Sequence, residues 1–410
     1  MPTAAGAFAR RVERSLPVLW CRFPSSAPVP VLPTFRLASV DHAQQIARRR
    51  LPASVYDYFV GGRGTGSTLR ANLDGFDRLS FVPKVAVHHQ VRDLRTTILG
   101  RESSMPVVVS PAGFIRLAAP QAECKAASAA QAAGIPVGIS SFSSDPLEQI
   151  VQRADNVWFQ LYMIGGRAGG EYMIERARQM GCSTLIVTVD RPVTLPSEQP
   201  GRPVPLRLDL PTMLAYWPEM LVRPGWALRF LQGGFNLDMP NLPRGRDGAS
   251  MTLGEAMGLI DRTPTVWADF EWIRRQWPGK LVVKGVMSAD DARRAVDVGA
   301  DAVSVSNHGG NALDGLPASI DVLPEVVAAI GRQAEVFVDG GVRRGADIVR
   351  AVALGARAVL IGRAYIWGLA AGGEAGMSQV LGLLRHNMDA CLSLLGRQSV
   401  SDLDPSCLRR

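Results

Sequence analysis

The chain has 410 residues, 47% hydrophobic and 20% charged, a composition with ample core that excludes a disordered protein. No run of about 18 uncharged apolar residues occurs, so a transmembrane span is excluded. The formal charge of +8 suits an anionic cofactor, nucleic acid or a membrane surface without choosing among them.

Residues 1–35 carry Arg10, Arg11, Arg14 and Arg22, then Pro24, Pro28, Pro30 and Pro33. They read as a disordered or extension segment without a secretory signal. The five cysteines (Cys21, Cys124, Cys182, Cys391 and Cys407) are scattered and lack a CxxC. They argue against a disulfide framework or a metal site and fit a reducing cytoplasm. One domain is expected over 36–408, opening with a helical segment.

From Val107 onward the chain repeats a short β-branched run, a polar or glycine residue and an alanine-rich helical stretch. The runs are Val107–Gly113, Val137–Phe142, Trp158–Tyr162, Leu185–Asp190, Leu281–Val286, Ala302–Gly309, Val336–Gly341 and Ala358–Arg363. Between them lie helical patterns such as Ala122–Ala133, Glu171–Met180, Ala289–Val298 and Ala346–Leu354, closed by Gly134, Gly181, Gly299 and Gly355. Unbroken apolar runs indicate parallel strands buried on both faces. Eight such units make an α/β fold of the (β/α)8 TIM-barrel type the economical reading, with an open doubly wound sheet as the alternative. Residues 191–280 interrupt the rhythm after the fourth strand. They carry Trp217, Trp226, Trp267, Trp272 and Trp277, and read as a lid over the mouth or as an oligomer contact.

Barrel enzymes place chemistry at the C-terminal ends of their strands. Those ends read Ser110 with Ala112, Ser140, Gln160 with Tyr162, Thr188 with Asp190, Lys284, Ser306 with His308, Asp339, and Gly362 with Arg363. His308 is the one histidine of five at a strand end, and Asp190 could orient it as a general base. Asp339, Gly340, Gly341 and Arg343, with Gly362 and Arg363 in the next unit, read as a phosphate site: glycines admit backbone N–H groups and arginines neutralise the anion. Lys284 needs a negative partner, which a cofactor ring that becomes anionic on reduction, Asp190 or Asp339 could each supply. A non-redox phosphate-binding barrel shares the phosphate site without needing His308 beside Asp190. Dispersed arginines and the lack of a stacking-aromatic motif argue against nucleic acid.

These residues resemble the FMN-dependent α-hydroxy-acid oxidase and dehydrogenase family, through LPASVYDYFVGG (51–62), SPAGF (110–114), FQLY (159–162), TVDRP (188–192), KGV (284–286), SNHGGNALDG (306–315), VDGGVRRGADIVRAVALGA (338–356) and IGRAY (361–365). The resemblance implies an FMN-binding (β/α)8 barrel. It puts FMN against Pro111, Ala112 and Gly113, held by Ser140, Gln160, Thr188, Lys284 and Ser306. The phosphate would lie on Asp339, Gly340, Gly341, Arg343, Gly362 and Arg363. His308 would be the base held by Asp190, Lys284 would stabilise the reduced flavin, and Tyr58 and Tyr162 would hydrogen-bond a small-molecule substrate. Electrons would pass to oxygen, a quinone or another redox carrier, and the family often forms homo-oligomers, commonly tetramers. Two positions depart from the family pattern. Asn311 and Ser197 stand where the family carries the arginines that clamp the substrate carboxylate, so simple 2-hydroxy acids are expected to be poor substrates. Arg191 or Arg202 are the candidate replacements. HGGN with LDG, WADFEWIRRQW (267–277) and WGLAAGGEAG (367–376) look most like the branch containing pre-mycofactocin synthase, which oxidises a carbon bearing an amine beside a lactam carbonyl. Tyr58 departs from that branch.

Overall fold

Eight parallel strands close into a barrel: β1 (Val107–Val109), β2 (Val137–Ser140), β3 (Val157–Leu161), β4 (Thr184–Thr188), β5 (Lys280–Val286), β6 (Ala302–Val305), β7 (Glu335–Asp339) and β8 (Ala358–Ile361). Pairing of Val359 with Val107 joins β8 to β1, which removes the open-sheet alternative. The computed structural model describes residues 36–409 except 194, 199–200, 202, 205–209, 233–237, 245–249 and 252. The reading of residues 1–35, and Arg202, lie outside the described residues.

Every residue of β1, β2, β3 and β4 is buried, as parallel strands covered on both faces require. Alternate side chains divide between two cores. Val108, Trp158, Ile186, Val282, Phe337 and Leu360 pack inside the barrel, where the Trp158 and Phe337 rings stack at 5.9 Å. A hairpin of Thr96–Ile98 and Arg101–Ser103 adds Ile98 and Leu99 to this interior. Their neighbours, such as Val107, Val109, Leu185 and Val187, face the surrounding helices in the outer core.

Three helices precede the barrel: α1 (Val40–Arg50), α2 (Ala53–Val60) and α3 (Ser67–Asp77). The crossover helices include α4 (Ala122–Ala133) and α5 (Gly166–Gln179). Within the insertion after β4 lie α6 (Leu210–Leu221), α7 (Pro224–Gln232), α8 (Leu253–Ile260) and α9 (Phe270–Gln276). Helices α10 (Ala289–Asp297), α11 (Ser319–Ile330), α12 (Gly345–Ala353) and α13 (Arg363–Leu394) complete the shell, and α13 breaks at Gly372 and Gly373. Gly134, Gly181, Gly299 and Gly355 all have positive φ, so each terminates its helix through a conformation that L side chains avoid. Helix α5 starts five residues before its apolar pattern, at Gly166. There Gly169 and Gly170 are needed because a Cβ would meet the Ile164 carbonyl oxygen at 1.8 Å or Met163 Sδ at 2.7 Å. Close packing, not helix propensity, sets that boundary.

The insertion meets the rest of the chain in two places. Ile260, Thr263, Pro264 and Thr265 line a cleft with Tyr162, Thr188 and Arg191 at the tips of β3 and β4. Trp226 Nε1 donates to the Leu117 carbonyl at 2.8 Å, and the Ser54 hydroxyl donates to Glu219 at 2.8 Å, so α7 is tied to the segment after β1 and α6 to α2. Their outer faces expose Leu210, Leu214, Trp217, Leu221, Leu228 and Leu231.

Candidate active site

The period-two alternation that fills the barrel interior also builds its mouth. Two or four residues beyond the interior set come Ser110, Gln160, Tyr162, Thr188, Asp190, Lys284, Ser306, Asp339 and Gly362, all on the inward parity of their strands. Polar groups so buried need partners, and Lys284, Ser306, Ser140 and Asp190 have them.

Lys284 Nζ lies 3.0 Å from Asp339 Oδ2 and donates to Ser306 Oγ at 2.9 Å, with only 5% of its side chain exposed. Asp339, rather than Asp190, is thus the contact partner. Burial pulls the ammonium down, but Asp339 and then Asp190 outweigh it and hold its pKa above the usual lysine value. The amine stays charged.

His308 Nδ1 lies 3.0 Å from Asp190 Oδ1 and 3.2 Å from Oδ2. Burial, helped by Lys284, holds the imidazole pKa below its usual value against the pull of Asp190. For Asp190 burial acts upward, but His308, Lys284 and Arg191 together carry its pKa below the usual carboxylate range. The pair therefore consists of a carboxylate and a neutral imidazole whose Nδ1–H donates, leaving the Nε2 lone pair for chemistry. Room for Asp190 comes from Gly285: a Cβ there would stand 2.5 Å from Asp190 Cβ, and its φ of +111° accompanies an irregularity in β5.

The His308 loop is held in an uncommon shape. His308 itself has φ +58°, a left-handed conformation that costs a non-glycine residue about 1 kcal/mol or more. Fully buried Asn307, one residue before, exchanges amide hydrogen bonds with fully buried Asn72 of α3 at 2.8 and 2.9 Å. Asp314, three residues beyond Asn311, accepts from Thr65 N, Thr65 Oγ1, Ser67 Oγ and Thr68 N at 2.7–3.1 Å. Arg363 joins the same assembly, donating to the carbonyls of Phe59, Gly61 and Gly309 at 2.7–2.8 Å. Asn72, Asp314, Asn307 and Gly285 were not singled out from sequence, although Asp314 sits in the quoted LDG and Gly285 in KGV.

The remaining predicted positions are placed as follows. Pro111, Ala112 and Gly113 form the half-buried loop after β1, and Ser140 and Thr188 are buried at their strand tips. Ser140 Oγ donates to Gln160 Oε1 at 3.1 Å, whereas Gln160 Nε2 and Asp339 Oδ1 are buried without a partner among the described residues. Gly340 and Gly341 have φ of +88° and +91°, and a Cβ on Gly341 would lie 2.1 Å from the Asn72 carbonyl oxygen. These glycines make room for α3, a use that turn chemistry alone did not reveal. Arg343 and Arg363 are close enough that Arg343, after burial, lowers the Arg363 pKa against Asp339. A Cβ on Gly362 would enter open space. Burial raises the Tyr162 pKa to about 12 and also raises that of Tyr58, so both hydroxyls keep their protons. Tyr58 is 40% exposed, and its ring stands edge-on to that of Phe114, in the segment after β1, at 6.3 Å. The Asn311 backbone N–H donates to the His308 carbonyl at 3.1 Å. Ser197 instead pairs with Gly64, in the loop joining α2 to α3. Among the described residues no cluster of three or more His, Cys, Asp or Glu side chains could hold a metal ion, and no helix is long and apolar enough to cross a membrane.

Comparison with known proteins identifies the family and the fold. The sequence profile of the FMN-dependent dehydrogenase family matches residues 47–410. The chain is 45% identical over 371 residues to the pre-mycofactocin synthase of Mycolicibacterium smegmatis, covering 88% of this chain and 91% of that protein. It is 37% identical over 370 residues to the L-lactate oxidase of Nostoc sp., covering 89% and 96%. A crystal structure described as the monotopic membrane protein (S)-mandelate dehydrogenase superposes with a TM-score of 0.83 at 35% identity, covering 92% of this chain and all of that one.

Proposed function

Because this chain belongs to the FMN-dependent dehydrogenase family, we propose that it removes two electrons from a carbon bearing a hydroxyl or an amine beside a carbonyl group, with His308 as the base. The observation that carries this reading is the 3.0 Å pairing of His308 Nδ1 with Asp190 on the rim that also holds Lys284. FMN supplies the two-electron acceptor.

The residues present fit FMN. Gln160 Nε2 is a buried donor without a partner among the described residues and suits a ring acceptor, as does the Lys284 ammonium. The loop Pro111–Gly113 with Ser140, Thr188 and Ser306 would complete the ring's surroundings. Arg343 and Arg363 are cations whose pKa burial lowers, and an anionic phosphate near Asp339–Gly341 and Gly362 would compensate them. The His308 side chain, 24% exposed, would take the substrate's hydroxyl or amine proton at Nε2. Asp190 would stabilise the imidazolium so formed, since it is already ionised beside Nδ1. Tyr162 and Tyr58, protonated, would donate to the substrate's carbonyl side, and the insertion's Ile260 and Thr263–Thr265 would wall the cleft from water.

Identity to pre-mycofactocin synthase above that to L-lactate oxidase supports a substrate other than a simple 2-hydroxy acid. So do Asn311 and Ser197, which carry no charge. The alternative is ordinary L-2-hydroxy-acid oxidation, supported by 36% identity to L-lactate dehydrogenase of Caulobacter vibrioides. We place the protein in the cytoplasm as a homo-oligomer, commonly a tetramer in this family. The exposed apolar faces of α6 and α7 support such a contact, and oxygen, a quinone or another carrier would reoxidise the flavin. The test is oxygen-free bleaching of the yellow FMN-loaded protein by a panel of hydroxy acids and cyclic amines. Bleaching by a panel member, with slow response to lactate and glycolate, is expected. Rapid bleaching by lactate would establish the alternative, and turnover that consumes no electron acceptor would point to a non-redox barrel enzyme.

A further inference from the structure

Two arginines of the mouth are charged groups to which the mechanism assigns no task. Arg63 lies in the loop joining α2 to α3, and Arg191 follows Asp190 directly. The Arg63 backbone N–H donates to the Gly310 carbonyl at 2.9 Å, beside Asn311. Its neighbour Gly64 donates to the Pro196 carbonyl at 3.0 Å, and Glu198 N–H returns a bond to Gly64 at 2.9 Å, straddling Ser197. The Arg63 loop is therefore stitched to both segments whose family arginines have become Asn311 and Ser197.

Neither arginine forms an ion pair among the described residues, and Arg63 Nε is buried without any hydrogen-bond partner. A buried guanidinium N–H left unpaired costs free energy that a ligand can recover. The Arg63 pKa is lowered by burial and then by Arg191, while Tyr58 opposes. Arg191 lines the cleft with Tyr162 and Thr188, and an anion bound there would relieve the two like charges. Their shared neighbour, Tyr58, is 40% exposed, whereas the side chains of Lys284 and Asp190 are 5% and 7% exposed. The cationic pair thus belongs to the outer end of the site and the paired catalytic groups to its inner end.

We infer that Arg63 and Arg191 form an anion-recognition pair that holds a substrate carboxylate remote from the reacting carbon, at the mouth beside Tyr58. The inference rests on His308 acting at the inner end. It makes the substrate an acid longer than lactate, with its charge away from the carbon being oxidised.

The test uses the full-length FMN-loaded protein and two already oxidised compounds of equal chain length, 2-oxoglutarate and 2-oxovalerate, which differ in a carboxylate or a methyl at the far end. By titration calorimetry at low salt, the wild type should bind 2-oxoglutarate about tenfold more tightly. Arg63→Gln and Arg191→Gln should each shrink that preference below about threefold, with Arg63→Lys between, since a lysine keeps the charge and loses the planar fork. Equal binding of the two compounds by the wild type, no binding of either, or a preference that survives both glutamine variants would overturn the inference. Selective binding of 2-oxoglutarate without bleaching by any 2-hydroxy acid or amine supports the arginine pair while removing the His308 reading. Bleaching without the preference does the reverse.

Discussion

Two groups of charge share one barrel mouth and are built in opposite ways. At the inner end each charge meets its opposite, Lys284 with Asp339 and His308 with Asp190, in contacts of 3.0 Å. At the outer end Arg63 and Arg191 are neighbours of the same sign, neither makes an ion pair among the described residues, and the acidic group that feels Arg191, Asp190, is already paired with His308. Buried charges without partners are costly, so pairing at the inner end fixes catalytic geometry before any ligand arrives. The outer pair lacks such contacts, and a bound anion would supply them. Position is settled at the inner end by the fold, and selectivity at the outer end is left to the ligand.

The largest expected effect comes from breaking an inner pair. Asp190→Asn keeps the size of the side chain but cannot stabilise an imidazolium. Turnover should fall about 10²–10⁴-fold while FMN absorbance remains, measured as kcat with the best bleaching substrate. In the wild type the acid limb of kcat/KM should lie below the usual imidazole pKa, because burial keeps His308 neutral. Near-normal turnover in Asp190→Asn would mean that the pairing is structural only. The outer pair comes next, with a binding change of about tenfold.

The smallest effect lies behind the site and concerns stability. Glu123 on α4 is buried, and burial followed by repulsion from Asp145 raises its pKa to about 8. The folded protein then holds a proton there that the unfolded chain has released above the ordinary carboxylate range. Stability from this group is full at low pH and falls as pH rises toward about 8. Melting temperature should decline over that interval, and Glu123→Gln should flatten the decline. An unchanged slope would place the titration elsewhere.

The inner end was legible in sequence for a physical reason. Strands covered on both faces read as unbroken apolar runs, as in Thr184–Thr188, and a period of two then carries Asp190 and Lys284 to the mouth. Seven of the eight run ends overshoot the observed strands by one to four residues because the ladder stops where the polar tips begin, as at Val305 before Ser306 and His308, while the fifth ends with its strand at Val286. The supports of the site were not legible. Asn72 meets Asn307 across 235 residues, and Thr65 meets Asp314 across 249, with no local pattern to announce either. Arg63 escaped for the same reason: a lone loop arginine reads as a solvated charge until Gly310 and Ser197 are seen beside it. Gly340 and Gly341 were visible as a turn, yet their close approach to Asn72 depends on a helix more than 260 residues earlier.

The most direct measurement is oxygen-free, stopped-flow bleaching of FMN-loaded His308→Ala beside the wild type. A variant that stays yellow and bleaches about 10²–10⁴-fold more slowly agrees with an imidazole that takes the substrate proton at Nε2. A variant that bleaches at the wild-type rate contradicts it.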